Sequence, residues 1–420
     1  MIAINQAMVA LFLCLFLVRS YAVENVHISG FGQVVAKSSL DNDKPYGMDD
    51  ADINFKNESL FGLQFTANLA DNLSATVQAI AVGMEDNDVE FQWAYLTYLI
   101  DNHWSFKFGK LRTPFFDYSE YIDVGYAYHW VRPPQVVYIP VFKNLDGIDL
   151  TFSHQIGQFE SDFDFIWGQV SDTIPPGPVD LPWLVGFSER ISWDKWSIGV
   201  SYFRAKMTLT PVFAPGIDAF VACLPGPPAP LAPSRGSVAG AMCEPSAPPG
   251  PTAPPRMVHP DFQDMASAID IDREKGEFYG ISLRYESESL LFVSEVTKSV
   301  IEDSIFTDPL SYYLTLGYSI GDWMPHITFE GFDVEPKTSI LELYQSKSSH
   351  PLFDAKQLDM LTKIIQDTNQ DKQIYTIGVR YDFHPSAAMK FDINWQDFEN
   401  EVQPIQVDAK LLSFAIVFTF

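Results

Sequence analysis

The chain has 420 residues and a formal net charge of −27, an acidity that excludes a polyanionic partner such as nucleic acid, which needs clustered Lys and Arg. Aromatic residues reach 14% while charged residues hold at 19%, and Phe alone fills 33 positions. That balance disfavours an ordinary secreted globule and suits strands whose outer faces meet lipid.

The first element is a leader. "AMVALFLCLFLV" is an apolar run of signal-peptide length, and Ser20 and Ala22 in the following "RSYAVEN" are the small residues a signal peptidase takes at −3 and −1. Cleavage is expected after Ala22, leaving residues 23–420 as the mature chain. The opening "MIAINQ" lacks the usual Lys or Arg. The run is shorter than the ~20 apolar residues a spanning helix requires, and no later stretch approaches that length. A membrane-spanning mature chain would therefore have to be built of strands.

Beyond the leader, the chain divides at period two into segments of about nine to twelve residues, the length that crosses a bilayer at a tilt. "NVHISGFGQVVAKS" is the first strand. "SLFGLQFTANLA" places Phe61, Leu63, Phe65, Ala67 and Leu69 on one face, and "VEFQWAYLTYLI" places Phe91, Trp93, Tyr95, Thr97 and Leu99 there. Further on, Tyr375, Ile377, Val379 and Tyr381 alternate with Thr376, Gly378 and Arg380. Met389, Phe391, Ile393 and Trp395 alternate with Lys390, Asp392 and Asn394.

Connections alternate between short and long. Short turns fall at Asp71-Asn72, Asp101-Asn102, Ile156-Gly157, Asp194-Lys195, Glu286 to Glu288, Gly321-Asp322 and His384 to Ser386. Long loops are expected near 40–58, 84–88, 111–146, 169–182, 206–275, 298–309, 334–371 and 398–409. Sixteen strands joined in this way predict an all-β, antiparallel transmembrane barrel with its turns at one end and its loops at the other. The 206–275 loop is rich in Pro, Ala and Gly, a composition that cannot form a core. It carries Cys223 and Cys243, expected to pair as a disulfide in an oxidising compartment. In the 334–371 loop, Leu358, Leu361, Ile364 and Ile365 recur at helical spacing.

The last strand, "LLSFAIVFTF", sets Leu412, Phe414, Ile416, Phe418 and Phe420 on one face, with Ala415 and Val417 opposite. Pairing it with the first strand would close the barrel and leave no open edge. Such an aromatic-ended strand resembles the C-terminal signature of bacterial outer-membrane proteins.

Sixteen strands, a long third loop and this last strand together resemble the general porin superfamily of Gram-negative bacteria. "FGKLRTPFFDYSEYIDVGYAYHWVRPP" is similar to the segment in which porin-like proteins leave the fifth strand and enter a loop folded into the lumen. The resemblance implies an outer-membrane location, a homotrimer, and contact with lipid, lipopolysaccharide and small hydrophilic solutes.

Candidate pore residues follow from strand parity and from the third loop. Lys107, Arg284, Arg380 and Lys390 turn inward, Arg112 leaves the fifth strand, and Asp117, Glu120 and Asp123 recur every three residues in the loop. Glu90, Asp149, Asp162, Asp164 and Glu330 add inward acids, which favours cations. The histidines are scattered, with no nucleophile motif or metal-ligand spacing, so neither an enzyme nor a cofactor is expected. The leading function is passive diffusion of small hydrophilic solutes. The alternatives are a solute-selective channel of the same fold, or a surface adhesion or partner-binding protein that uses the barrel as its anchor.

Overall fold

The computed structural model describes residues 25–40, 52–83, 88–138, 142–174, 177–209, 271–302, 304, 307–335, 337, 339–350, 358–359, 362, 371–399 and 409–420. The leader, the Pro-rich stretch with Cys223 and Cys243, and most of the proposed 358–365 helix lie outside them. Residues 358, 359 and 362 are helical, and a separate helix, α1 (Ser339–Ser346), precedes them.

Sixteen antiparallel strands close into one barrel. They are β1 (Val26–Ser39), β2 (Leu60–Ala70), β3 (Leu73–Val82), β4 (Val89–Leu99), β5 (Trp104–Arg112), β6 (Asn144–Ile156), β7 (Phe159–Ile174) and β8 (Gly177–Trp193), followed by β9 (Trp196–Leu209), β10 (Ile271–Glu286), β11 (Leu290–Ile301), β12 (Leu310–Tyr318), β13 (Trp323–Asp333), β14 (Asp371–His384), β15 (Ala387–Glu399) and β16 (Ala409–Thr419). Each strand pairs with its sequence neighbour, and β1 pairs with β16, so no strand is left as an open edge. Among the described residues no helix is long and apolar enough to cross a membrane. The apolar surface is carried by strands, on alternate residues such as Phe61, Phe65, Trp167, Ile281, Ile327, Ile377 and Phe391.

The closing seam rests on missing side chains. A Cβ on Gly32 would lie 2.6 Å from the Phe418 ring, and one on Gly30 would lie 2.3 Å from the Phe420 ring. The two glycines of β1 therefore leave sockets that the rings of Phe418 and Phe420 fill. Phe420 also stacks on Phe61 of β2 at 6.2 Å, so the seam spans three strands.

Two local expectations differ from the structure. In β4 the register shifts opposite Gln78 and Ala79, which pair with Trp93 and Phe91, so Gln92 is the extra residue of a bulge. The alternation inverts there. Trp93, Tyr95 and Thr97 join the inner face, while Leu96 and Tyr98 are exposed outside. The expected loop at 169–182 is mostly strand, because β7 and β8 continue to Ile174 and Gly177. Val170, Val179 and Leu181 carry that extension by burying themselves on the inner face, and a register shift between Asp180 and Trp183 takes up Pro182.

Candidate functional site

The inner face gains its shape from residues 113–138, which leave β5 after Arg112. The segment starts with Thr113 donating its backbone N–H to the Lys143 carbonyl at 3.0 Å, and it holds two short 3₁₀ turns, Ser119–Tyr121 and Gly125–Ala127. Two apolar clusters seat it. Phe115 packs with Leu111, Leu145, Phe203 and Met207, and Tyr118, Trp130, Val136 and Tyr138 pack with Leu291, Val293 and Tyr313. Each fully buried aromatic or aliphatic side chain contributes about 1.5–3 kcal/mol. Polar groups fix the register: Trp130 Nε1 donates to Thr328 Oγ1 at 2.8 Å, the Val136 N–H to Glu330 at 3.2 Å, and the Tyr138 hydroxyl to Glu295 at 2.6 Å. These partners all sit on inward positions of β11 and β13.

The three acids of the segment diverge, because the 3₁₀ turn Ser119–Tyr121 holds only Glu120, and Asp117 and Asp123 lie outside it on either side. Asp117 is 2% exposed at its side chain, and it bridges Arg284 at 2.8 Å and Arg190 at 2.8 Å. Its N–H donates to Glu295 at 3.1 Å, and its carbonyl accepts from Arg190 at 3.0 Å. Asp123 turns back to ion-pair with Arg112, with Lys143 at 3.6 Å. Burial opposes its charge, but the pull of Arg112 and Lys143 wins and holds the carboxyl below its ordinary value. Glu120 is exposed, and among the described residues it makes no hydrogen bond or ion pair. It lines a cavity of about 260 Å³ together with Lys107, Tyr121, Asp162, Asp164 and Arg190.

The basic residues are held by partners. Lys107 donates to Asp149 at 3.0 Å. Arg380 forks onto Asp382 at 2.8 Å and gives its other arm to the carbonyls of Tyr126 at 2.7 Å and Tyr128 at 2.8 Å. Lys390, 1% exposed, donates to the carbonyls of Gly125 and Trp130. Of the acids of the cavity, Asp162 accepts from Ser153 at 2.6 Å and Asp164 from Ser188 at 3.3 Å.

Two further contacts tie the segment down. Glu58, in left-handed backbone at φ 67°, pairs with Arg132 at 2.8 Å and with Lys37. Burial works against its charge, and the attraction of Arg132 and Lys37 outweighs it, so the carboxyl stays low. His129 packs edge-on against His326 at 4.8 Å between ring centres, and His326 Nε2 is 3.3 Å from Asp392. Burial pushes the His129 imidazole well below its ordinary value, with the charges of His326, Lys390, Arg284 and Arg380 adding to the effect. Sequence parity locates Lys107, Arg284, Arg380 and Lys390 but passes over Arg190. The pattern "VGFSERISW" contains that signal, because Phe187 and Ile191 are exposed outside and Arg190 falls between them.

No family model and no curated protein matches the sequence. Solved structures do match in shape. They include the in-vitro folded trimer form of the outer-membrane protein OmpT of Vibrio cholerae (11% identity, 94% of this chain and 100% of that chain, TM-score 0.52). The outer-membrane channel DcaP of Acinetobacter baumannii matches at 10% identity over 94% and 97%, with TM-score 0.51. An anion-selective porin from Comamonas acidovorans matches at 10% over 94% and 99%, with TM-score 0.53. Over nearly its whole length, this chain has the barrel fold of bacterial outer-membrane porins.

Proposed function

We propose that the protein is a channel of the bacterial outer membrane that passes small hydrophilic solutes and ions, with a preference for cations, and that it works as a homotrimer. Its exposed apolar strand faces suit lipid, and the acid runs of its sequence, "DNDKPYGMDDAD" and "EDNDVE", suit divalent-bridged lipopolysaccharide. On this reading residues 113–138 lie across the lumen and narrow it, and the cavity beside Lys107 and Glu120 is the remaining passage. The observation that carries the preference is the imbalance of unpaired charge. Glu120, Asp162 and Asp164 form no salt bridge among the described residues, whereas Lys107, Arg112 and Arg380 each pair with a carboxylate and Arg190 and Arg284 share Asp117. Opposed rows of charge decide ion preference where water is scarce.

The test is conductance of the purified protein in a planar bilayer under a KCl gradient. An ohmic pore with a zero-current potential on the K⁺ side is expected. Absence of conductance would remove the channel, and a potential on the Cl⁻ side would remove the cation preference. Block by a single solute class would make the channel a selective one.

A further inference from the structure

We infer that Arg380 and Lys390 are positioning residues that anchor residues 125–130, the far part of the segment whose 114–121 part lines the cavity, and so fix where the segment lies and the width of the passage it leaves, not its charge preference. The inference rests on the channel reading above. Its basis is where these two cations spend their donors. Arg380 Nη1 donates to two carbonyls, Tyr126 and Tyr128, while Nε and Nη2 are held by Asp382 at 2.9 Å and 2.8 Å. Lys390 Nζ donates to the carbonyls of Gly125 and of Trp130, the latter at 2.7 Å. Four carbonyls within six residues thus face two side chains that are adjacent across the β14–β15 ladder, where Arg380 pairs with Lys390.

The rings of the segment complete the arrangement. The Arg380 guanidinium lies 4.7 Å over Tyr126, and the Lys390 ammonium 4.3 Å over Tyr128. A short backbone stretch with only a three-residue 3₁₀ turn cannot satisfy its own carbonyls, and unpaired buried carbonyls are costly. The two cations supply what a longer helix would have supplied. The close approach also requires Gly125, since a Cβ there would lie 2.2 Å from Gln33 Oε1 and 3.0 Å from Val417. Arg380 is balanced by Asp382 and Lys390 is 1% exposed, so neither cation is placed to touch a passing ion.

Two substitutions separate positioning from field. Arg380→Lys conserves charge but loses the planar fork, so it cannot hold Asp382 and two carbonyls together. Lys390→Met removes the charge at similar length. In liposomes loaded with oligosaccharides of increasing size, both variants are expected to admit neutral sugars near the size limit roughly tenfold faster, the worth of one charge-assisted hydrogen bond. The zero-current potential of Lys390→Met should stay at the wild-type value. Neutral-sugar rates that remain at wild type in Arg380→Lys overturn the inference, as does a Lys390→Met potential that moves towards cations with sugar rates unchanged. If Lys390→Met does not yield a heat-modifiable barrel, the charge-conserving variant decides alone. A wild-type protein that conducts nothing would instead refute the channel reading, a result distinct from either.

Discussion

The Asp117 carboxylate receives Arg284 at 2.8 Å across 167 residues of sequence, on a side chain only 2% exposed, and Arg190 closes on its other oxygen. One acid at the start of the 113–138 segment thus joins β8 to β10. Replacing Asp117 with Ala leaves two guanidiniums facing each other on a half-dry wall. We expect docking of the segment to weaken by ~3 kcal/mol, the usual effect of removing one member of a buried pair. Amide exchange of residues 115–124 should then rise about a hundredfold. Unchanged protection would mean that the apolar clusters seat the segment alone.

Glu120 offers the sharpest test of the cation preference. Glu120→Lys reverses two units of charge beside Asp162 and Asp164 without touching an ion pair. The zero-current potential should move towards anions with conductance retained. The double variant Arg112→Gln/Asp123→Asn, which removes a cation together with its carboxylate, should move it far less. Equal shifts from the two would contradict the assignment of Glu120 as the open charge.

Acid should release the segment. His129 is a base whose docked pKa lies well below its ordinary 6.5, so the docked state holds fewer protons than the released state. The contribution of His129 to docking is therefore complete above pH 6.5 and is lost as pH falls below it, by about tenfold per unit until the docked pKa is reached. The imidazole faces His326, Lys390, Arg284 and Arg380, with Asp392 the acid beside His326. Protease cleavage within residues 125–132 should increase between pH 6.5 and 5.5. His129→Phe should remove that acid limb; a wild-type profile without it would show that burial does not hold this ring neutral.

Closure of the barrel depends on Gly32. Gly32→Leu places a branched side chain where the Phe418 ring lies, and overpacking of this kind costs about 1–3 kcal/mol. The unboiled protein should run apart from the boiled protein on a denaturing gel in wild type, with strand-dominated circular dichroism. The temperature at which the two bands merge should fall in the variant. An unaltered transition would mean that the seam rests on its ladder bonds and not on its rings.

Much of the architecture was legible because outward residues alternate with inward ones in β2, β14, β15 and β16, and the register shifts of these strands fall only at their turn ends, after Asn68 and after Tyr381. The β4 error has a defined cause. A bulge adds one residue without any marker in "EFQWAY", and every side chain after Gln92 changes face. The 169–182 prolines mimic a loop, and only the inward burial of Val179 and Leu181 shows otherwise. For the site, parity identified which cations point inward but not what they would meet. Whether Lys390 ends on a solute, a carboxylate or a backbone carbonyl depends on a segment more than 250 positions away, and no period records that.

The glycine sockets of β1 also act as a vernier for assembly. Gly30 and Gly32 are spaced as Phe420 and Phe418 are, so both rings are seated only when the two strands meet at one offset. A slip of one residue would turn the rings to the inner face, into the wall that Val35 and Val417 occupy. A slip of two would set Phe418 over Gly30, bring Ile416 to Gly32, and leave the Phe420 ring without a socket. Hydrogen bonding alone would tolerate the slip of two, because backbone repeats itself every two residues; the paired rings do not. The strand translated first therefore carries a mould that only the strand translated last can fill, and the circumference of the barrel is checked at the moment it closes.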